Sequence, residues 1–92
     1  MTIRWSAEAR DDVDRLADFV AAYDPVRASE IEQELSQAPK ALLSFPRRGP
    51  RLSEFDPLEV REYRVGAFLL RYQLAGSDVV VLRFFHARED RF

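Results

Sequence analysis

The chain contains no cysteine, so neither a disulfide framework nor thiol chemistry is open to it. It has one histidine, His86, which leaves too few imidazoles for a multi-histidine metal site. Glycine is scarce, at three residues, and no Gly-rich phosphate cradle, Walker motif or metal-ligand spacing occurs. No apolar run approaches the ~20 residues needed to cross a bilayer. The opening Met1-Thr2-Ile3-Arg4 does not read as a signal peptide. Internal repeats and low-complexity runs are missing too. These absences predict a cytoplasmic protein without metal or cofactor.

What is present has an ordinary globular balance. Ninety-two residues, 47% hydrophobic and 33% charged, suit a single domain, 1–92, with one modest core. The formal net charge of −2 argues against general nucleic-acid binding. That charge is unevenly spread. Residues 1–43 carry nine acids and five bases, net −4, and residues 44–92 carry seven acids and nine bases, net +2. Electrostatic work is therefore expected in the second half.

The second half is organised around Val60 to Glu89. Phe68, Leu70, Tyr72 and Leu74 alternate with Leu69, Arg71, Gln73 and Ala75, the period of two of a sheet with one buried face. Val79 to Phe85 is β-branched and aromatic almost throughout, as a packed strand prefers. A three-residue turn, Gly76-Ser77-Asp78, opposes Leu74 to Val80, Tyr72 to Leu82, Leu70 to Phe84 and Phe68 to His86. A two-residue turn opposes Leu70 to Arg83, and a one-residue slip swaps faces. Burial thus predicts the three-residue turn.

On the other face this register sets Arg71 opposite Arg83, flanked by Leu69 and Phe85. Like charges directly opposite each other destabilise a sheet. Two readings remain open. Either Glu62, placed opposite Arg71 by a Gly66-Ala67 turn, neutralises the row, or the face carries a partner, because an apolar patch crossed by arginines suits a protein interface.

The first half reads as a short strand and two helices. Ile3 and Trp5 suit an opening strand, and Ser6 a helix N-cap with Glu8 in the first turn. Ala9, Val13, Leu16, Ala17, Val20 and Tyr23 recur at helical spacing, with Asp11, Asp12, Asp14, Arg15 and Asp18 expected on the solvated face. Asp24 caps the next helix and Pro25 opens it. Ala28, Ile31, Leu35, Ala38 and Leu42 form its stripe, which Pro39 should kink. Neither stripe can be buried alone, so the helical hairpin is expected across the inner face of the sheet. Ser44 to Glu59 is the irregular stretch, and there Arg47, Arg48 and Arg51 form the densest basic patch. A loop packed down by Phe45 and Phe55, with solvated arginines, is the expectation there.

The element order is β-α-α-β-β-β, an α+β arrangement. In this order the chain resembles the RelE/ParE superfamily of bacterial toxins from type II toxin–antitoxin modules, over nearly its whole length. The resemblance rests on Ser6-Ala7-Glu8-Ala9, Asp12-Val13, Tyr23, Phe45-Pro46, Gly49 and Arg61. It continues through Leu70-Arg71-Tyr72, Val79-Val80-Val81-Leu82 and His86-Ala87-Arg88 with Asp90. It implies a helical hairpin packed on a mainly antiparallel four-stranded sheet.

Chemistry divides the branches of that superfamily. RelE-like members cleave mRNA on the ribosome, which needs an activated 2′-hydroxyl, cations around the phosphorane and a protonated leaving oxygen. The strand positions that carry basic residues in that branch correspond here to Val60, Glu62 and Leu69. Of the basic or aromatic cluster after the last strand, His86 and Arg88 remain, with His86 expected on the core-facing side. The ParE-like branch, whose members poison DNA gyrase without being enzymes, is the closer resemblance through its His-Ala-Arg-x-Asp segment. No catalytic residue is expected. Target contacts are expected at Arg83, His86, Arg88 and Arg91. The resemblance also implies a hetero-oligomer with a ParD-like, ribbon-helix-helix antitoxin, whose acidic tail would meet Leu69, Arg71, Arg83 and Phe85. A RelE-like mRNA endonuclease and a non-toxic antitoxin-binding relative are the alternatives.

Overall fold

Ser6 starts the first helix because its hydroxyl does two jobs. It accepts a hydrogen bond from Ala9 N–H at 3.0 Å, satisfying one of the orphan donors of the first turn. It also donates to the Leu82 carbonyl at 2.8 Å, tying helix to sheet. The computed structural model describes residues 1–89. The elements are β1 (Thr2–Trp5), α1 (Ala7–Ala21), α2 (Pro25–Gln37), a 3-10 turn (Ala38–Lys40), α3 (Ala41–Ser44), a second 3-10 turn (Ser53–Phe55), β2 (Glu59–Val65), β3 (Phe68–Ala75) and β4 (Asp78–His86). The sheet order is β1-β4-β3-β2, with β1 parallel to β4 and the other pairs antiparallel.

Asp24 caps α2 through Arg27 N–H, with Pro25 in the first turn. At Pro39 the missing N–H turns the helix into the 3-10 segment before α3 resumes. The two stripes then meet the sheet. Ala9, Val13, Leu16, Ala17, Ala28, Ile31, Leu35 and Leu42 pack against Phe68, Leu70, Tyr72, Val79, Val81 and Phe84. Burying each large apolar side chain contributes roughly 1.5–3 kcal/mol, which holds the hairpin down. Tyr23 departs from its expected place in the stripe. It lies beyond the end of α1 and is 72% exposed. No helix among the described residues is long and apolar enough to cross a membrane.

The hairpin between β3 and β4 corrects the expected register over half its length. The turn is the two-residue one, Gly76-Ser77, with Ala75 opposite Asp78, Leu74 opposite Val79 and Tyr72 opposite Val81. Gly76 takes φ +60°, which a tight turn requires and side chains resist. A bulge then inserts Leu82, and from there Arg71 opposes Arg83, Leu70 opposes Phe84 and Phe68 opposes His86. The bulge reconciles a short turn with burial of Phe84. The expected Leu74–Val80 and Tyr72–Leu82 pairs are therefore wrong, and the expected far half is right.

Of the two phenylalanines expected to pack the irregular stretch down, only Phe55 does so, half-buried beneath Arg71. Phe45 is 65% exposed. Instead the buried Tyr72 hydroxyl donates to the Pro46 carbonyl at 2.7 Å and accepts from Gly49 N–H at 3.3 Å. Gly49 rests on β2 so closely that a Cβ would stand 2.3 Å from the Glu62 carbonyl oxygen. Leu52 N–H donates to Val60 O and Glu62 N–H to Pro50 O, so the loop covers part of the β2 edge.

Candidate functional site

β1 is four residues long and β4 nine, so the far half of β4 has no strand on that side. Unpaired backbone there would be costly. α1 supplies side chains in place of a strand. Asp12 accepts from Phe84 N–H at 2.9 Å, and Arg15 donates to Phe84 O at 3.4 Å. Asp12 also takes Arg83 Nε at 2.7 Å and a second Arg83 nitrogen at 3.0 Å. Arg15 pairs with Asp12 and, at 2.9 Å, with Glu89, whose other oxygen accepts from His86 N–H at 3.0 Å.

Asp12 is thus 4% exposed, which corrects its expected place on the solvated face. Burial pushes its carboxyl up, but bonds from Arg83, Phe84 N–H and Arg15 outweigh that and hold it below the usual carboxylate range. Burial likewise raises the Glu89 carboxyl, while Arg15 and His86 N–H bring it down further. The signal was present in the spacing. Asp12 stands three residues after Ala9 and four before Leu16, on the edge of the buried arc.

The outer face of the sheet carries the row Glu62, Arg71, Arg83. Glu62 accepts twice from Arg71, at 3.2 and 3.3 Å, so the first of the two readings of the arginine pair holds for Arg71. Arg83 is neutralised by Asp12 instead. Both guanidiniums also lie over the Phe85 ring, at 5.1 and 4.9 Å, and Arg71 covers Phe55 at 5.2 Å. Leu69 faces Phe85 across the strands. Of these four side chains, Phe85 is nearly closed over, at 4% exposed, while Leu69 and Arg83 keep partial access.

The expected target contacts do not form one patch. His86 lies on the helix side, edge-on to Phe68 at 5.6 Å, and its Nδ1 accepts from Arg88 N–H. His86 and Arg88 line a groove shared with α1, whereas Arg83 sits on the outer face. Arg91 lies outside the described residues. The groove has a volume of about 790 Å³, and its lining includes Leu16, Phe19, Val20 and Phe68.

Where phosphodiester cleavage would call for cations, the face holds other groups. Val60 is 1% exposed, Glu62 is bound to Arg71, and Leu69 is apolar. Arg47 of the loop and Arg61 of β2 share Glu59, and in the loop Arg51 pairs with Asp56. Bonds from Arg61 and then Arg47 lower the Glu59 carboxyl. Arg48 stacks between Phe45 and Tyr63. Among the described residues no group of three or more His, Asp or Glu is placed to hold a metal ion.

Three comparisons agree with this architecture. A Caulobacter vibrioides protein named Toxin RelE1 is 30% identical over 90 residues, covering 98% of this chain and 97% of its own. The structure described as a chromosomal ParDE TA system from P. aeruginosa superposes with a TM-score of 0.78 at 21% identity, over 94% of this chain and 95% of that one, and so shares the fold. Residues 3–91 match the family described as the ParE toxin of the type II toxin-antitoxin system parDE. The chain belongs to the ParE toxin family of type II toxin–antitoxin systems.

Proposed function

We propose that this toxin acts by holding another protein, inhibiting DNA gyrase in the cytoplasm, and that a cognate ParD-like antitoxin neutralises it. One observation carries the reading. The three strand positions where RNA-cleaving members of the superfamily place cations hold Val60, Glu62 and Leu69, and a carboxylate with two aliphatics cannot stabilise a phosphorane. Of the outer-face arginines, Arg71 is committed to Glu62 and Arg83 to Asp12, while Arg64, opposite Leu69, donates to the Gly66 carbonyl. They can still present flat, weakly hydrated surfaces to a protein.

We assign the antitoxin surface to the outer face. Leu69 and the rim of Phe85 offer apolar contact, and the partly exposed Arg83 and the stacked Arg71 offer charge to an acidic tail. His86, Arg88 and Arg91 are assigned to the target. The name of the Caulobacter relative favours one second reading, a ribosome-dependent mRNA endonuclease with a rearranged site.

Expression of the chain alone in cells separates these. Filamentation with DNA-damage signalling is the expected outcome. Rapid loss of protein synthesis without DNA damage would support the second reading, and unimpeded growth would remove toxicity altogether.

A further inference from the structure

We propose that Arg15 and Glu89 are positioning residues, which hold the turn 86–89 in the shape that presents His86 and Arg88 to the target. The inference rests on the assignment of those two residues to the target and names what gives that site its form. Every backbone N–H of the turn is bound. His86 N–H donates to Glu89 Oε1 at 3.0 Å, and Ala87 N–H to the Ala67 carbonyl at 2.8 Å. Arg88 N–H donates to His86 Nδ1 at 3.1 Å, and Glu89 N–H to the His86 carbonyl at 3.0 Å. Three of these four acceptors belong to the turn itself, so its shape follows the Glu89 carboxylate. Arg15 fixes that carboxylate. Its two terminal nitrogens grip both Glu89 oxygens, at 2.9 and 3.2 Å, a fork matched to a carboxylate. Arg15 is itself tied to Asp12 at 3.3 Å and to the Phe84 carbonyl at 3.4 Å, which registers the turn against α1 and β4 together.

Two side chains are thereby set for contact. Because His86 Nδ1 accepts, the neutral ring carries its proton on Nε2 and offers it as a donor. Phe68 meets that ring edge-on and limits its rotation. Arg88 is exposed and has no ion-pair partner among the described residues, so its guanidinium is available. A turn ordered before the encounter loses less entropy when it binds. Stability is a poorer account of the pair. The side chains of Arg15 and Glu89 are 47% and 28% exposed, and an ion pair this open contributes little to folding.

Growth arrest under graded expression of the full chain tests this without presuming which molecule the target is. Glu89→Ala should raise the amount of protein needed for arrest about tenfold. Glu89→Gln keeps an acceptor for His86 N–H and Arg15, and should lose about threefold or less. In the purified Glu89→Ala protein, amide exchange should quicken at His86 and Arg88, while the thermal midpoint moves by less than about 5 °C. Arg88→Ala alone should also cost about tenfold. Combined with Glu89→Ala, the loss should fall well short of the hundredfold product, because a positioning residue acts through the group it positions. A merely structural role would multiply the two losses. If His86→Ala and Arg88→Ala relieve arrest and Glu89→Ala does not, the target assignment stands and the proposal falls. If neither contact variant relieves arrest, or the wild-type chain arrests nothing, the assignment fails and takes the proposal with it. Full multiplication, or relief that tracks lost thermal stability, would also overturn it.

Discussion

Asp12 and Arg83, 71 positions apart, meet through two hydrogen bonds of 2.7 and 3.0 Å, and the same carboxylate caps the Phe84 N–H. One side chain of a helix thereby replaces the strand that β4 lacks. Asp12→Ala leaves a buried donor unpaired and strips Arg83 of its partner. Discounting for the partial exposure of Arg83, the loss should be about 2–4 kcal/mol. Urea unfolding measures it, and a loss within about 0.5 kcal/mol, typical of a surface site, would show that the clamp is ornamental.

Acid should loosen the same clamp. Asp12 and Glu89 are held below their ordinary values, which are about 3.9 and 4.3. A carboxyl whose folded pKa is depressed adds stability above its unfolded pKa and loses it as pH falls through the folded one. The thermal midpoint should therefore hold down to about pH 5 and decline below it. Asp12→Asn, which cannot titrate, should show a shallower decline. Parallel curves for the two proteins would contradict the assignment.

Much of this was legible in the sequence where the causes are local. Ser6 and Asp24 announce their helices because a cap needs only a side-chain acceptor and the next turn. The pairs from Phe68–His86 to Arg71–Arg83 follow from burial alone. The Leu82 bulge does not, because turn length and burial each give a consistent register, and only the structure joins the two. The spacing of Asp12 points to burial, but its partner Arg83 is contributed by the far end of the chain, where no helical periodicity reports it.

The loop over β2 depends on one hydroxyl and one missing side chain. Tyr72→Phe removes the bonds to Pro46 O and Gly49 N–H and should cost about 1–2 kcal/mol. Amide exchange should quicken at Arg48 and Gly49 while the core helices stay protected. Gly49→Ala forces backbone from backbone and should cost about 1–3 kcal/mol. Full stability in both variants would mean the loop is fixed elsewhere.

Leu69→Glu probes the antitoxin surface without breaking an ion pair, since Leu69 stands between Phe85 on β4 and Arg64 on β2 and makes no ion pair itself. It should weaken the cognate antitoxin by about tenfold or more, or 1.4 kcal/mol, with toxicity retained. Isothermal titration reads the affinity directly. Unchanged binding would move the antitoxin off this face.

Whether the pure protein touches gyrase or RNA is the most direct measurement. Added to purified gyrase with plasmid DNA, it should block supercoiling and trap cleaved complexes, and in a parallel reaction leave mRNA on translating ribosomes intact. Codon-specific cuts in that mRNA, with supercoiling unimpaired, would contradict the account.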